Sequence, residues 1–146
     1  MQNKGAFTVI ELIFVIVVLG ILAGIAFPRF AVTRDDAFIV RGKSELSTIR
    51  SAISSHRLEK MISGGGTAYI GDENLSSGDK LFSGVLPNPI YEKEGGGRWR
   101  RVDGSSNKYI FRAGSGASSD VEFTYNDSDG TFECDHSKPL CKKLAE

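Results

Sequence analysis

From Phe7 to Phe27 the chain carries one charge, Glu11, in an otherwise apolar run: Phe-Thr-Val-Ile-Glu-Leu-Ile-Phe-Val-Ile-Val-Val-Leu-Gly-Ile-Leu-Ala-Gly-Ile-Ala-Phe. At the helical rise such a stretch extends roughly 30 Å, the hydrocarbon thickness of a bilayer, so the pattern predicts a helix able to cross a membrane. Beyond Pro28 the pattern becomes amphipathic. Phe38, Ile39, Leu46, Ile49, Ala52, Ile53, Met61 and Ile62 recur at three- and four-residue intervals amid charged and serine positions. The two stretches together predict one nearly continuous helix from about Thr8 to Ile62.

Gly64-Gly65-Gly66 ends that helix, because consecutive glycines supply left-handed conformations for a C-cap. Thr67 to about Lys80 is turn-rich and reads as a connecting loop. Asp79 is placed to cap a short helical turn through Leu86, stopped by Pro87-Asn88-Pro89. After Gly95-Gly96-Gly97 come four β-type segments, Arg98 to Val102, Lys108 to Ala113, Val121 to Tyr125 and Thr131 to Cys134, separated by turn residues. Tyr109/Phe111 and Val121/Phe123/Tyr125 alternate as half-buried strands do, which predicts an antiparallel meander able to cover the helix stripe at Leu46, Ile49 and Ile53. The expected fold class is α+β: a long N-terminal helix, membrane-spanning in its first half, packed on a small C-terminal antiparallel sheet.

Charge and composition narrow the function. The 146 residues hold 18 Lys+Arg and 18 Asp+Glu, net zero, so bulk charge gives no support for binding nucleic acid or anionic membrane. Arg98-Trp99-Arg100-Arg101 interleaves cations with an aromatic, but on a strand Trp99 and Arg101 share one face and Arg98 and Arg100 the other. We expect a tryptophan covering the sheet beside solvated arginines. Arg34, Asp35 and Asp36 read as a solvated helix face, and His56, with no neighbouring His or Cys, as a surface or boundary residue. No HExxH, GxSxG, Cys-x-x-Cys, P-loop or nucleotide fingerprint occurs, so the expectation is a structural subunit and not an enzyme. Gly20 and Gly24 have the spacing that lets membrane helices approach closely. Glu11 stands apart: a carboxylate in a membrane span costs about 2.5–3.5 kcal/mol on insertion scales, and no Lys or Arg within the run pairs with it.

Lys4-Gly5-Ala6-Phe7-Thr8-Val9-Ile10-Glu11-Leu12, the apolar run behind it and Pro28 resemble the class III leader and N-terminal segment of type IV pilins and type II secretion pseudopilins. The resemblance implies cleavage between Ala6 and Phe7 by a prepilin peptidase and methylation of the new Phe7 amine. Most relatives have Gly where this chain has Ala6; cutting after Gly5 would shift Glu11 out of the usual spacing. The resemblance also implies a partner for Glu11, the methylated amine of Phe7 on a neighbouring subunit, so that proteolysis creates the cation that assembly needs. In relatives the segment before Pro28 loosens in the assembled filament, and Gly20, Gly24 and Pro28 each lower helix stability here.

The implied location is a single pass through the bacterial inner membrane, N-terminus cytoplasmic and C-terminal domain periplasmic. The implied partners are copies of itself, other pilins or pseudopilins, the peptidase and an inner-membrane assembly platform. The positive-inside rule points the other way, since Lys4 stands alone before the run while Arg29, Arg34, Arg41 and Lys43 follow it. An ordinary secretory signal fits poorly, because the apolar core contains an acid and runs straight into a helical pattern.

Cys134 and Cys141, the only cysteines, then favour a disulfide outside the cytoplasm, a loop closure contributing roughly 2–3 kcal/mol. Many type IV pilins close a C-terminal loop in this way, whereas many major pseudopilins do not. With Asp135 and His136 the thiols match no zinc signature. Asn126-Asp127-Ser128-Asp129-Gly130 has two readings. Asp127 and Asp129 could begin a calcium loop, as major pseudopilins commonly bind calcium near their C-termini, or Asp-Gly could turn a hairpin.

The expected organisation is a leader at 1–6, a transmembrane and filament-core helix at 7–27, its amphipathic continuation at 28–63, a connecting loop with a helical turn at 64–97, and the sheet with its disulfide loop at 98–146. The leading expectation is a type II secretion pseudopilin. A type IV pilus or competence pilin is the alternative, and a monomeric membrane-anchored binding domain the rival from another class.

Overall fold

The computed structural model describes residues 8–146, the side chains of 26–33 excepted. Helix α1 (Val9–Ile62) runs 54 residues, as the two hydrophobic patterns together require. The chain divides into two compact units, Met1–Arg34 and Asp35–Glu146.

In the first unit the large apolar side chains from Val9 to Ile25 are exposed, from 37% at Val18 to 77% at Ile10. Among the described residues no helix is long and apolar enough to cross a membrane. The expected span ran from Phe7 to Phe27, and described side chains cover it only to Ile25. The α1 backbone continues as helix through Pro28, while the Pro28 ring and the whole of Ala6 and Phe7 lie outside the described residues.

In the second unit the stripe Leu46, Ile49 and Ile53 is buried to 2% exposure or less, covered by an antiparallel sheet in the order β3-β4-β5-β6. Its strands are β3 (Trp99–Arg101), β4 (Lys108–Arg112), β5 (Asp120–Asn126) and β6 (Thr131–Cys134). Period-two alternation sets the register: Tyr109 opposes Phe123 and Phe111 opposes Val121, all four facing inward. Trp99 pairs with Phe111 and is 1% exposed, the centre of a cluster with Phe82, Phe111, Phe123 and Phe132 at centroid distances of 5.0–5.9 Å. The sequence placed Trp99 as a cover; the fold makes it core.

Both outer edges of this sheet are occupied. Along β3, Lys93 N–H donates to the Trp99 carbonyl and Arg101 N–H to Glu92 Oε1. Along β6, Arg50 of α1 donates from Nε to the Phe132 carbonyl at 3.0 Å and from Nη2 to Glu133 at 2.8 Å.

The connecting segment differs from expectation. The helical turn expected over 80–86 is replaced by a two-stranded ribbon of β1 (Lys80–Leu81) and β2 (Ile90–Tyr91), and the one-turn helix, α2, lies earlier at Asp72–Leu75. Phe82 is the cause. It adopts a left-handed conformation (φ 57°) that breaks a helix and sends its ring into the aromatic core, its N–H held by Ser76 Oγ at 2.8 Å. Gly64 (φ 78°) and Gly66 (φ 100°) end α1 as read. Met61 and Ile62, counted in the apolar stripe, are exposed at 46% and 80%. The C-terminal disulfide loop also contains an unexpected helix, α3 (Pro139–Ala145), with Leu144 against Gly42 of α1.

Candidate functional site

The candidate site is the start of α1. Thr8 precedes the first helical residue and acts as its cap: Glu11 N–H lies 3.4 Å from Thr8 Oγ1 and 3.1 Å from the Thr8 carbonyl, and Leu12 N–H donates to that carbonyl at 3.2 Å. Thr8-Val9-Ile10-Glu11 is the Thr-x-x-Glu capping pattern, the signal by which Thr8 was legible in the sequence and which the reading of the apolar run passed over. Capping places Glu11 in the first turn, where the unpaired helix N–H groups favour an anion. Its side chain is exposed, with no hydrogen-bond or ion-pair partner among the described residues. The arrangement presents an acid at the head of an uncovered apolar helix, available to a cation from outside the chain. Ala6 and Phe7, the expected cleavage pair, and the Pro28 side chain lie outside the described residues.

The remaining candidates sit in the second unit. Cys134 and Cys141 form a disulfide with Cα atoms 5.8 Å apart, joining β6 to α3. Asp127 and Asp129 occupy a hairpin turn between β5 and β6. Asp129 Oδ1 accepts from the Thr131 N–H and hydroxyl, which holds its carboxyl below the usual range, and Asn126 Oδ1 accepts from the Ser128 N–H and hydroxyl. Calcium requires six to eight oxygens. These side chains are turned to closing the hairpin, and among the described residues no group of three or more His, Cys, Asp or Glu is placed to share a metal ion. The turn fits the hairpin reading.

Two of the three arginines of the basic run, Arg100 and Arg101, are engaged within the fold, and Arg98 is exposed. Asp120 receives Arg112 through Nε at 2.6 Å and Nη2 at 3.1 Å, and Arg100 through Nη2 at 3.0 Å; the Arg112 bonds above all hold its carboxyl below the usual range. Arg101 reaches the Gly78 carbonyl at 3.3 Å. His56 is half-buried on α1, its Nδ1 enclosed without a hydrogen-bond partner.

Residues 1–27 match the prokaryotic N-terminal methylation motif, the prepilin leader of type IV pilins and pseudopilins. The motif marks a type IV pilin-like precursor of the kind a prepilin peptidase processes. No curated protein and no solved structure matches the chain.

Proposed function

We propose that the chain is a structural subunit of a pilin-like filament, cut between Ala6 and Phe7 and N-methylated at Phe7. The observation that carries this reading is the methylation motif joined to an apolar helix which its own unit leaves uncovered from Val9 to Ile25. So large an apolar surface needs a second phase or a second chain. Lipid serves before assembly and neighbouring copies serve after it, with Glu11 pairing the new amine of the adjacent subunit. In this reading the N-terminus starts on the cytoplasmic side of the inner membrane, an assembly platform extracts the subunit, and the domain from Asp35 onward is displayed outside. The role is assembly and not catalysis.

Within this class a type II secretion pseudopilin is preferred for the small size of the C-terminal domain. A type IV pilus or competence pilin is the second reading, favoured by the Cys134–Cys141 disulfide; long extracellular fibres seen on surface labelling would select it.

Mass spectrometry of the mature N-terminus tests the core of the proposal. The expected species begins at N-methyl-Phe7, and a chain that retains Met1 overturns it. Glu11→Ala is expected to leave processing intact and to abolish incorporation into filaments; a wild-type chain that forms no filament, with Glu11→Ala no different from it, would instead support a monomeric anchored domain.

A further inference from the structure

The chain is neutral as a whole, yet its second unit carries opposite charge at two levels of α1. At the level of Arg41 and Glu45 a cleft of about 260 Å³ opens beside β2 and β3, bordered by Arg41, Tyr91, Lys93, Arg98 and Trp99. Its one acid, Glu45, is already engaged by Arg41 Nε at 2.8 Å and Trp99 Nε1 at 2.9 Å. Lys93 and Arg98 are exposed, with no ion-pair partner among the described residues. The cleft therefore presents two cations without a direct ion-pair partner beside the exposed ring of Tyr91, the adjoining Glu92 being turned to the Arg101 N–H.

The other level is acidic. The β5–β6 turn exposes Asp127 and Asp129, and its Gly130 lies against Tyr69. Tyr69 is held by Arg57 of α1, whose guanidinium bonds the Tyr69 hydroxyl at 2.7 Å and the Thr67 carbonyl at 2.9 Å. These contacts fix the turn beside the C-terminal part of α1 and commit Arg57 to the loop.

From Arg41 to Arg57 the helix advances roughly 24 Å. Complementary patches that far apart on one rigid unit cannot meet within a molecule. They meet when a second copy is displaced along α1, a heterologous contact whose repetition gives an open stack. An antiparallel pair would also match them, but it reverses chain direction between copies, whereas a filament of processed subunits is parallel. We propose that the Arg41/Lys93/Arg98 cleft receives the Asp127–Asp129 turn of a second copy offset along α1. The inference rests on the filament reading and names the contact that sets the offset between its subunits.

Cysteines introduced at Lys93 and Asp127 of the full-length chain, expressed with its processing peptidase, test the contact under mild oxidation. With both substitutions a ladder of cross-linked multimers is expected; K93C or D127C alone should give none, and the two single variants together should give dimers. Lys93→Glu with Arg98→Glu is expected to lower filament yield about tenfold, and Asp127→Lys with Asp129→Lys in the same chain to restore it. Cross-linking that stops at dimers in the double variant identifies the antiparallel pair and overturns the offset stack. Filaments of undiminished yield after charge reversal, without cross-links, overturn the contact and leave the filament reading standing. A wild-type chain as unpolymerised as Glu11→Ala overturns both.

Discussion

Trp99 is the single tryptophan of the chain, and its indole N–H donates to Glu45 Oε2 from the centre of the aromatic core. Arg41 orients that carboxylate from the solvent side, where an ion pair contributes little by itself. The weight therefore falls on the buried donor. Glu45→Ala should destabilise the domain by about 1–3 kcal/mol, the cost of leaving a buried N–H unsatisfied. Urea unfolding followed by Trp99 fluorescence reads this directly, and a change under about 0.5 kcal/mol would show that water replaces the carboxylate. The pairing was not legible in sequence, because Glu45 and Trp99 are distant along the chain and each has an ordinary local reading. Glu11, by contrast, stands out in the sequence as the lone acid of an apolar run.

At the scale of elements, local periodicity is what sequence transmits. The alternation at Tyr109/Phe111 and Val121/Phe123/Tyr125 located β4 and β5 to within a residue or so of their observed ends. The two-residue strands β1 and β2 are too short to show a period, and the left-handed Phe82 between them has no propensity signal because tertiary packing imposes it. Helix α3 did leave a trace, Pro139 at its first position and Leu140/Leu144 one turn apart, which the disulfide-loop reading obscured. Its packing on α1 depends on Gly42. A Cβ there would lie 2.5 Å from Phe111 Cε1 and 2.7 Å from Leu144 Cδ2. Alanine raises helix propensity by about 1 kcal/mol, but the Phe111 ring is fully buried and cannot withdraw, so overpacking of about 1–3 kcal/mol dominates. Gly42→Ala is expected to lower the melting temperature, and a rise would show that α3 can move aside.

For the molecule as a whole, two groups tie stability to pH, one at each end of the range. The carboxyl of Asp120 is held low by Arg112 and then Arg100, so its contribution is present above about pH 4, the ordinary aspartate value, and is lost as pH falls through the lower folded value. Asp120→Asn should flatten that acid limb in a series of pH-dependent melts. The Tyr125 phenol, buried and bonded to the Ile70 carbonyl at 2.8 Å, is pushed up to about 12, chiefly by burial. A neutral phenol is favoured in the fold, so its contribution is intact below about pH 10 and is lost as pH rises through about 12. Tyr125→Phe should reduce the alkaline loss, leaving the share of Tyr109, which burial also pushes up, while an unchanged alkaline limb would assign it to other groups.

Arg50 on one sheet edge, with Glu92 and Lys93 on the other, has a consequence for the material such a protein makes. Subunits stacked at high density find both edge strands of the four-stranded sheet engaged, so that sheet stays a monomer's sheet within any polymer. Fibres of this chain should bind no thioflavin and give no meridional 4.7 Å cross-β reflection, their axial order coming from packed helices and contacts between folded domains.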